Sequence, residues 1–326
     1  MRHIGVVGKE FVATLRMKHK DKERYKPIPT GIEALDKEVG GVGDGAYWAW
    51  GGTAKIGKTT VILNVGVELS KTKKVGLFCL EERDIQAVAR LLARETQGVD
   101  RKDMYTLNVD EDGFVELDQA VAILETYNMW VEDSVFDLDK IFEICEKEGI
   151  EVAIIDYMNL LNYGKFMNES ERLTAISRRT VQVKNSGAKA AELKGITALT
   201  VMLLYQLNDD LLAFGSRSVY KDADISIEIS EALDADGDPI EGRIELSINR
   251  SRISGVVKHM HMLFSGAHCR IENIGDVTID FADVEVVYLG DSKDAYKPRR
   301  GKAAKRGFGR GKQQPELISA ESPNSA

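Results

Sequence analysis

An α/β fold, with a mainly parallel central sheet flanked by helices and antiparallel strands appended at its edge, is what this sequence predicts. Three observations carry that expectation. Apolar runs of strand length alternate with helical segments between Ala46 and Tyr205, the spacing of βαβ units. A glycine-rich segment, Gly51-Gly-Thr-Ala-Lys-Ile-Gly-Lys-Thr-Thr60, joins one such run to one such helix. After about Asp224 the texture changes, and short β-rich runs follow one another across turn signals.

Taken in order, the first 27 residues are polar and basic, with Phe11, Leu15 and Met17 as apolar anchors. They predict a linker helix or arm, closed by the turn signal Lys26-Pro27-Ile28-Pro29-Thr30-Gly31. Ala46–Trp50 reads as a strand and Thr60–Leu69 as the helix behind the glycine-rich loop. Val75–Leu80 follows as a strand, then Ile85–Glu95 as a helix with Ile85, Val88, Leu91 and Leu92 on one face. Asp100–Asp118 is less regular and leads to a helix near Ala120–Thr126 and a short strand at Met129–Val131. Leu138–Lys147 is amphipathic, Val152–Asp156 is a strongly apolar strand, Glu169–Lys194 a long helix and Ala198–Tyr205 a buried strand. Ile225–Ile229, Ile244–Ile248 and Val256–Phe264 predict antiparallel strands, joined by Asp236-Gly237-Asp238-Pro239 and by Ser254-Gly255. A further strand is expected around Val277–Phe281, and from Asp291 on the composition is that of a disordered tail. The expected organisation is an arm at 1–27, one globular domain at 28–290 and a basic tail at 291–326.

Composition narrows the function classes. The 43 % hydrophobic and 29 % charged residues are those of a soluble globular chain. No apolar stretch approaches the ~18–20 residues of a membrane helix. The N-terminus has neither the long apolar core nor the small-residue cleavage site of a secretory signal. Cys79, Cys145 and Cys269 are odd in number, widely spaced and set among apolar residues. They are expected to fill core positions in a reducing cytoplasm rather than form disulfides or bind zinc. Net charge is −8, but Lys297–Lys312 holds eight Lys or Arg and only Glu316 and Glu321 follow as acids. Residues 297–326 thus carry +6 and residues 1–296 carry −14. That asymmetry fits an acidic body whose basic tail touches phosphates, and equally a solvated solubility tail.

The chemistry starts at the glycine-rich segment. Gly52, Gly57, Lys58 and Thr59 fill every fixed position of G-x-x-x-x-G-K-[ST], the phosphate-binding P-loop. Its glycines let backbone N–H groups turn onto a polyphosphate, Lys58 reaches the β- and γ-phosphates, and Thr59 offers a hydroxyl to Mg²⁺. The helix that follows points its N-terminus at the anion. Gly52, Thr53, Ala54, Lys55, Ile56, Gly57, Lys58, Thr59 and Thr60 are the candidate nucleotide-binding residues, and the chain reads as an NTPase. Asp156 ends the run Glu151-Val-Ala-Ile-Ile-Asp156, the apolar strand and acid of a Walker B motif, and is the second candidate for Mg²⁺ beside Thr59. Glu81 and Glu82 follow the strand Val75–Leu80, and Glu81 is the preferred candidate to accept the proton of an attacking water. Gln206 closes the strand Ala198–Tyr205, where a neutral amide can report on the γ-phosphate. Arg250 and Arg252 lie in Asn249-Arg-Ser-Arg-Ile-Ser-Gly255, where guanidinium groups suit γ-phosphate stabilisation or are simply exposed.

These residues line up with a family. Pro29-Thr30-Gly31-Ile32-Glu33-Ala34-Leu35-Asp36, with Gly40-Gly41, resembles the opening segment of the ATPase domain of DnaB-like replicative helicases, a branch of the RecA-like motor fold. Leu80-Glu81-Glu82 with Arg90-Leu91-Leu92-Ala93 resembles that family's serine-leucine-glutamate-methionine motif and the helix behind it. Ile154-Ile155-Asp156-Tyr157-Met158-Asn159-Leu160 resembles its Walker B segment, and Gln206-Leu207-Asn208 and Asp222-Ala223-Asp224 resemble its later motifs. The resemblance runs over about Ile28–Ser265. It departs at Asp209, where the family has arginine, at Val219-Tyr220, and after Arg252, where the glycine-rich ending is incomplete.

The resemblance implies Glu81 as catalytic base, Gln206 as γ-phosphate sensor, and Arg252 with Arg250 as a finger acting across a subunit interface. It implies ATP and Mg²⁺, a ring (usually a hexamer) with nucleotide between subunits, single-stranded DNA in the channel, and a primase or helicase loader as partner. The arm would dock on the adjacent subunit. A motor without a preceding domain would suit a phage or plasmid replication protein in the host cytoplasm. Lys165 and Arg217 are candidate DNA-phosphate contacts. The competing reading is a recombination or mediator ATPase of the RecA/RadA kind, which binds DNA without unwinding it, and a third is a DNA-free regulatory ATPase.

Overall fold

The computed structural model describes residues 1–165, 168–194, 198–207, 218–255 and 257–274. In chain order the elements begin with α1 (Ile4–Lys20), α2 (Lys22–Tyr25), α3 (Glu33–Val39), β1 (Tyr47–Gly52), α4 (Lys58–Ser70) and β2 (Val75–Cys79). Next come α5 (Asp84–Glu95), α6 (Arg101–Thr106), α7 (Glu111–Leu124), β3 (Met129–Glu132), α8 (Leu138–Glu148) and β4 (Val152–Asp156). A 3₁₀ turn at Met158–Leu160 precedes α9 (Glu169–Lys194), β5 (Thr200–Gln206) and α10 (Ser218–Asp222). The chain then runs through β6 (Ile225–Leu233), β7 (Pro239–Ser251), β8 (Lys258–Ser265) and β9 (Arg270–Asn273).

Among the described residues all nine strands form one sheet in the order β3-β2-β4-β5-β1-β6-β7-β8-β9. Pairing is parallel from β3 to β6 and antiparallel from β6 to β9. This is the predicted mixed sheet. The side-chain period of two divides each buried strand between two cores. On β1, Trp48 and Trp50 join Ile62, Val65 and Leu69 of α4, whereas Tyr47 and Ala49 join Ile141 of α8 and Ile176 of α9. Helices therefore cover both faces of the parallel half, which is why its strands are continuously apolar. Close approach demands two glycines. A Cβ on Gly51 would lie 2.5 Å from Tyr205 Cζ, and one on Gly66 of α4 would lie 2.9 Å from Ile154 Cδ1.

The segment Pro29–Asp36 has a physical reason for its residues. The Asp36 carboxylate accepts hydrogen bonds from Thr30 N (2.8 Å) and Thr30 Oγ1 (2.9 Å), folding the segment back onto the first turns of α3. From the far end of the chain, Asn273 accepts from Glu33 N at 2.9 Å and donates to Gly31 O at 3.1 Å. It so supplies an orphan donor of α3 with a partner.

Several elements differ from expectation. The stretch taken as irregular holds α6, capped by Asp100, and α7, capped by Asp110. Gly113 disguises the start of α7, yet its bare Cα is needed there, since a Cβ would sit 2.9 Å from Val109 Cγ1. β7 is far longer than Ile244–Ile248 because its polar first half continues the hairpin past the core, to a turn where Asp234 accepts from Asp236 N and Asp238 N. β9 was not anticipated. Asn208, Asp209, Arg217, the strand expected at 277–281 and the tail at 291–326 lie outside the described residues. Cys79, Cys145 and Cys269 are free and buried. Among the described residues no helix is long and apolar enough to cross a membrane.

Candidate functional site

Four strands end at one rim of the sheet, and the sequence-predicted residues sit on those ends. In space they run β2, β4, β5, β1, carrying Glu81, Asp156, Gln206 and Gly52. Gln206 is in register with Gly52 across the β5–β1 pair, directly beside the start of the P-loop. Leu80 N donates to Asp156 O at 2.7 Å, so Glu81 leaves β2 alongside the Walker B acid. Ligands of parallel sheets bind outside such carboxyl ends.

The P-loop takes its shape from left-handed backbone at Lys55 (φ 65°) and Gly57 (φ 104°), immediately before α4 begins at Lys58. Thr53, Ala54 and Ile56 complete the turn, and Thr60 is buried in the first turn of α4. Lys58 Nζ donates to the carbonyls of Gly52 (3.1 Å) and Thr53 (2.8 Å), so the lysine arches over its own loop. Burial holds its pKa below the usual lysine range, against the opposing pull of the Asp156 and Glu81 charges.

Thr59 Oγ1 donates to Asp156 Oδ2 at 2.6 Å. The other carboxylate oxygen, Asp156 Oδ1, is buried and has no hydrogen-bond partner. Burial pushes Asp156 up to about 6, the Thr59 bond opposes this, and the Glu81 charge adds to it. An orphaned acceptor beside a hydroxyl, at the foot of a phosphate loop, fits a hard divalent cation completed by phosphate oxygens and water. Among the described residues no group of three or more His, Cys, Asp or Glu would hold a metal unaided. Thr59 and Asp156 are the residues that could hold such an ion.

Position in sequence did not separate Glu81 from Glu82 by any physical means, and the structure does. Glu82 is bound by Arg90, whose Nε donates to Oε2 at 3.0 Å and whose Nη2 pairs with Oε1. Glu81 is exposed, and its charge acts on Lys58 and Asp156. Both acids act on Asp156, but Glu81 alone of the two also acts on Lys58, and among the described residues it has no ion-pair partner.

Arg250 and Arg252 are not brought to this rim. Arg250 is in register with Ser226 and Arg252 follows Ser251, which pairs with Ile225 at the start of β6. That end adjoins Trp48, whereas the P-loop leaves from Gly52 beside Ile229. Both arginines therefore lie at the opposite end of the sheet from their own P-loop. Lys165 is exposed on the segment after the 3₁₀ turn.

Sequence reasoning missed two neighbours. Phe264 of β8 packs on the P-loop so closely that a Cβ at Gly57 would lie 2.6 Å from its Cζ. No local pattern announces a contact across more than two hundred residues. Arg90 as the partner of Glu82 lay within the quoted motif, but without an assigned role.

The sequence matches the DnaB-like helicase C terminal domain family over residues 27–273. Among solved structures the fold is similar to the ATPase domain of G40P, with TM-score 0.68 and 19% identity over 82% of this chain and 98% of that one. It is also similar to a DnaB-like replicative helicase, from a structure of that protein and its interactions with primase. There the TM-score is 0.64 and the identity 18%, over 81% of this chain and 66% of that one. No curated protein sequence matches the chain. The structural likeness speaks for a RecA-like ATPase fold, and the family match spans most of the sequence, so the chain belongs to the DnaB-like helicase C-terminal domain family.

Proposed function

We propose that this protein is an ATP-dependent DNA helicase that works as a ring, usually of six copies, and couples ATP hydrolysis to movement along single-stranded DNA in replication. The observation that carries the proposal is the split of its catalytic groups between two ends of one sheet. Lys58, Thr59, Glu81, Asp156 and Gln206 share one rim, while Arg250 and Arg252 stand at the other. One chain cannot bring both sets to one nucleotide, but neighbours related by a rotation can.

In this reading Gly52 through Thr60 cradle the phosphates of ATP, and Lys58 exchanges its two loop carbonyls for phosphate oxygens. Thr59 and Asp156 hold Mg²⁺, which when bound neutralises charge on those oxygens. Glu81 accepts the proton of the attacking water, and Gln206 senses the γ-phosphate from the adjacent strand. Arg252, with Arg250, comes from the neighbouring copy to stabilise the transferring group.

The arm supports assembly. Helix α1 buries no residue against its own chain and leaves Ile4, Val7, Phe11 and Leu15 exposed, an apolar surface that needs a partner. A primase or loader as further partner, and action in the cytoplasm of a host cell, belong to the same proposal. The 1–27 arm, the 28–290 motor and the basic 291–326 tail would be its working parts, with Lys165 and Arg217 as candidate contacts to DNA phosphates.

The test is unwinding of a forked DNA duplex with ATP and Mg²⁺, with Lys58→Ala alongside. Strand separation by the wild type alone is expected. DNA-stimulated hydrolysis without separation would move the assignment to a RecA/RadA-like recombination ATPase.

A further inference from the structure

We infer that Asp224 and Lys184 are positioning residues for Arg252, presenting its guanidinium for use by a neighbouring copy of this chain. The inference rests on the reading of Arg252 as a group that acts across a subunit boundary.

The support is built from the backbone outward. Asp224 N donates to Tyr47 O and Arg252 N donates to Asp224 O, each at 2.8 Å. The residue carrying the arginine is thereby pinned, through Asp224, to the start of the central strand β1. The Asp224 carboxylate is fixed in turn. Its Oδ2 accepts from Tyr47 N at 2.9 Å, and Lys184 Nζ lies 2.8 Å from Oδ1 and 2.5 Å from Oδ2. Arg252 meets this assembly along one edge only. Its Nη2 donates to Lys221 O at 2.9 Å, and its Nη1 stands 3.7 Å from Asp224 Oδ1.

Charge explains why the contact guides without capturing. Asp224 is one negative charge, and Lys184 already satisfies it at close range. Arg252 is a second positive charge on the same carboxylate, and among the described residues its only ion pair is that long contact with Asp224. It is also the open member of the three, its side chain 43% exposed against 17% for Lys184 and 15% for Asp224. A guanidinium has five donors, and this one spends few of them on its own chain. The surplus charge and the remaining donors are available to an anion brought up from outside.

Lys184 also belongs to a helix gripped at its far end by the Walker B turn. Arg172 of α9 donates to Leu161 O at 2.9 Å and to Asn159 O at 2.6 Å, and Asn159 donates to Glu169 at 3.0 Å. The arginine's support is thus rooted in rigid elements on two sides, as positioning of a catalytic group requires.

The experiment uses mixtures of full-length chains. Asp224→Asn keeps an acceptor for Tyr47 N but removes the charge; Lys184→Met removes the cation that fixes the carboxylate. Each variant alone is expected to lose kcat for ATP about tenfold with KM changed less than about twofold. Added Lys58→Ala subunits cannot turn over, yet they carry an intact Arg252 with its supports. They should therefore raise the turnover of either variant, which a packing defect confined to the variant's own chain would not allow. Arg252→Ala mixed with Lys58→Ala is the control. Rescue of Arg252→Ala but of neither Asp224→Asn nor Lys184→Met overturns the positioning role alone. No rescue of Arg252→Ala overturns the action across subunits, and the positioning role with it. Should Asp224→Asn fail to fold, Lys184→Met decides.

Discussion

Exchanging Glu81 and Glu82 for glutamine, one at a time, sets two neighbouring carboxylates against each other with opposite expected outcomes. Glu81 is unpaired among the polar contacts of the rim and exerts its charge on Lys58 and Asp156, so Glu81→Gln removes a proton acceptor and little packing. General-base catalysis contributes roughly 10²–10⁴ in rate, or about 3–5 kcal/mol of barrier. Turnover should fall by that factor while ATP still binds. Glu82→Gln instead deprives Arg90, whose side chain is only 14% exposed, of its carboxylate partner. Breaking a charge-assisted pair of this kind costs about 1.5–3 kcal/mol, nearer the low end because Glu82 keeps some solvent contact. In a domain of this size that lowers Tm by roughly 3–8 °C. Phosphate release at saturating ATP and Mg²⁺, nucleotide titration and thermal denaturation read the three quantities separately. A Glu81→Gln variant with wild-type turnover, beside a Glu82→Gln variant that is inactive yet fully stable, would refute the assignment.

Other outcomes follow from the same geometry. Lys58→Ala should abolish hydrolysis and leave the circular dichroism spectrum unchanged, because Lys58 bonds only loop carbonyls that water can serve instead; retained turnover would sink the phosphate site. Gly51→Ala drives a Cβ to 2.5 Å from Tyr205 and should cost about 1–3 kcal/mol by overpacking, and an unaltered melting temperature would contradict the fit. A pH effect is expected at the outer sheet. The hydrogen bond to Glu245 raises His259 above its ordinary 6.5; burial pushes Glu245 up, but bonds from His259 and Ser247 outweigh it and leave Glu245 below 4.5. The raised histidine stabilises fully below about pH 6.5 and fades as pH rises through its folded value, while the lowered glutamate stabilises above about pH 4.5 and fades as pH falls. The pair therefore contributes most between about pH 4.5 and 6.5, and His259→Gln should lower Tm in that window more than at pH 8. An equal loss at both pH values would count against it.

How much of this was legible in the sequence depended on how local the cause was. The P-loop and the strand-ending acids were readable because residue type, glycine placement and apolar runs all act within about ten residues. α9 was legible for the same reason, its bounds set by a sustained helical pattern. What escaped was decided at a distance. The polar first half of β7 is strand only because β6 pairs with it, and β9 exists through its pairing with β8. The start of α7 hid behind Gly113, a residue that normally signals a turn but here makes room for Val109 and Val99. At the site, order after the strand is all that favours Glu81 in the sequence, and the pairing of Glu82 with Arg90 could not be read from it. Asp222-Ala223-Asp224 was noticed as a family likeness; its contact with Lys184, forty residues away, could not be read from spacing.

The clasp between Asn273 and the first turn of α3 bears on chain topology. Because Asn273 touches Gly31 and Glu33, β9 returns to within a few residues of the turn at Pro27–Gly31. The described body from Pro27 to Ile274 is therefore close to a closed circuit, and the break between its ends is one cut among several. A circular permutant could join Ile274 to Pro27 through a short linker and reopen the chain at Gly237, in the exposed hairpin turn that follows β6. Strand order, phosphate rim and arginine support would all be retained, while the arm and the tail would be free to be moved elsewhere, singly or together.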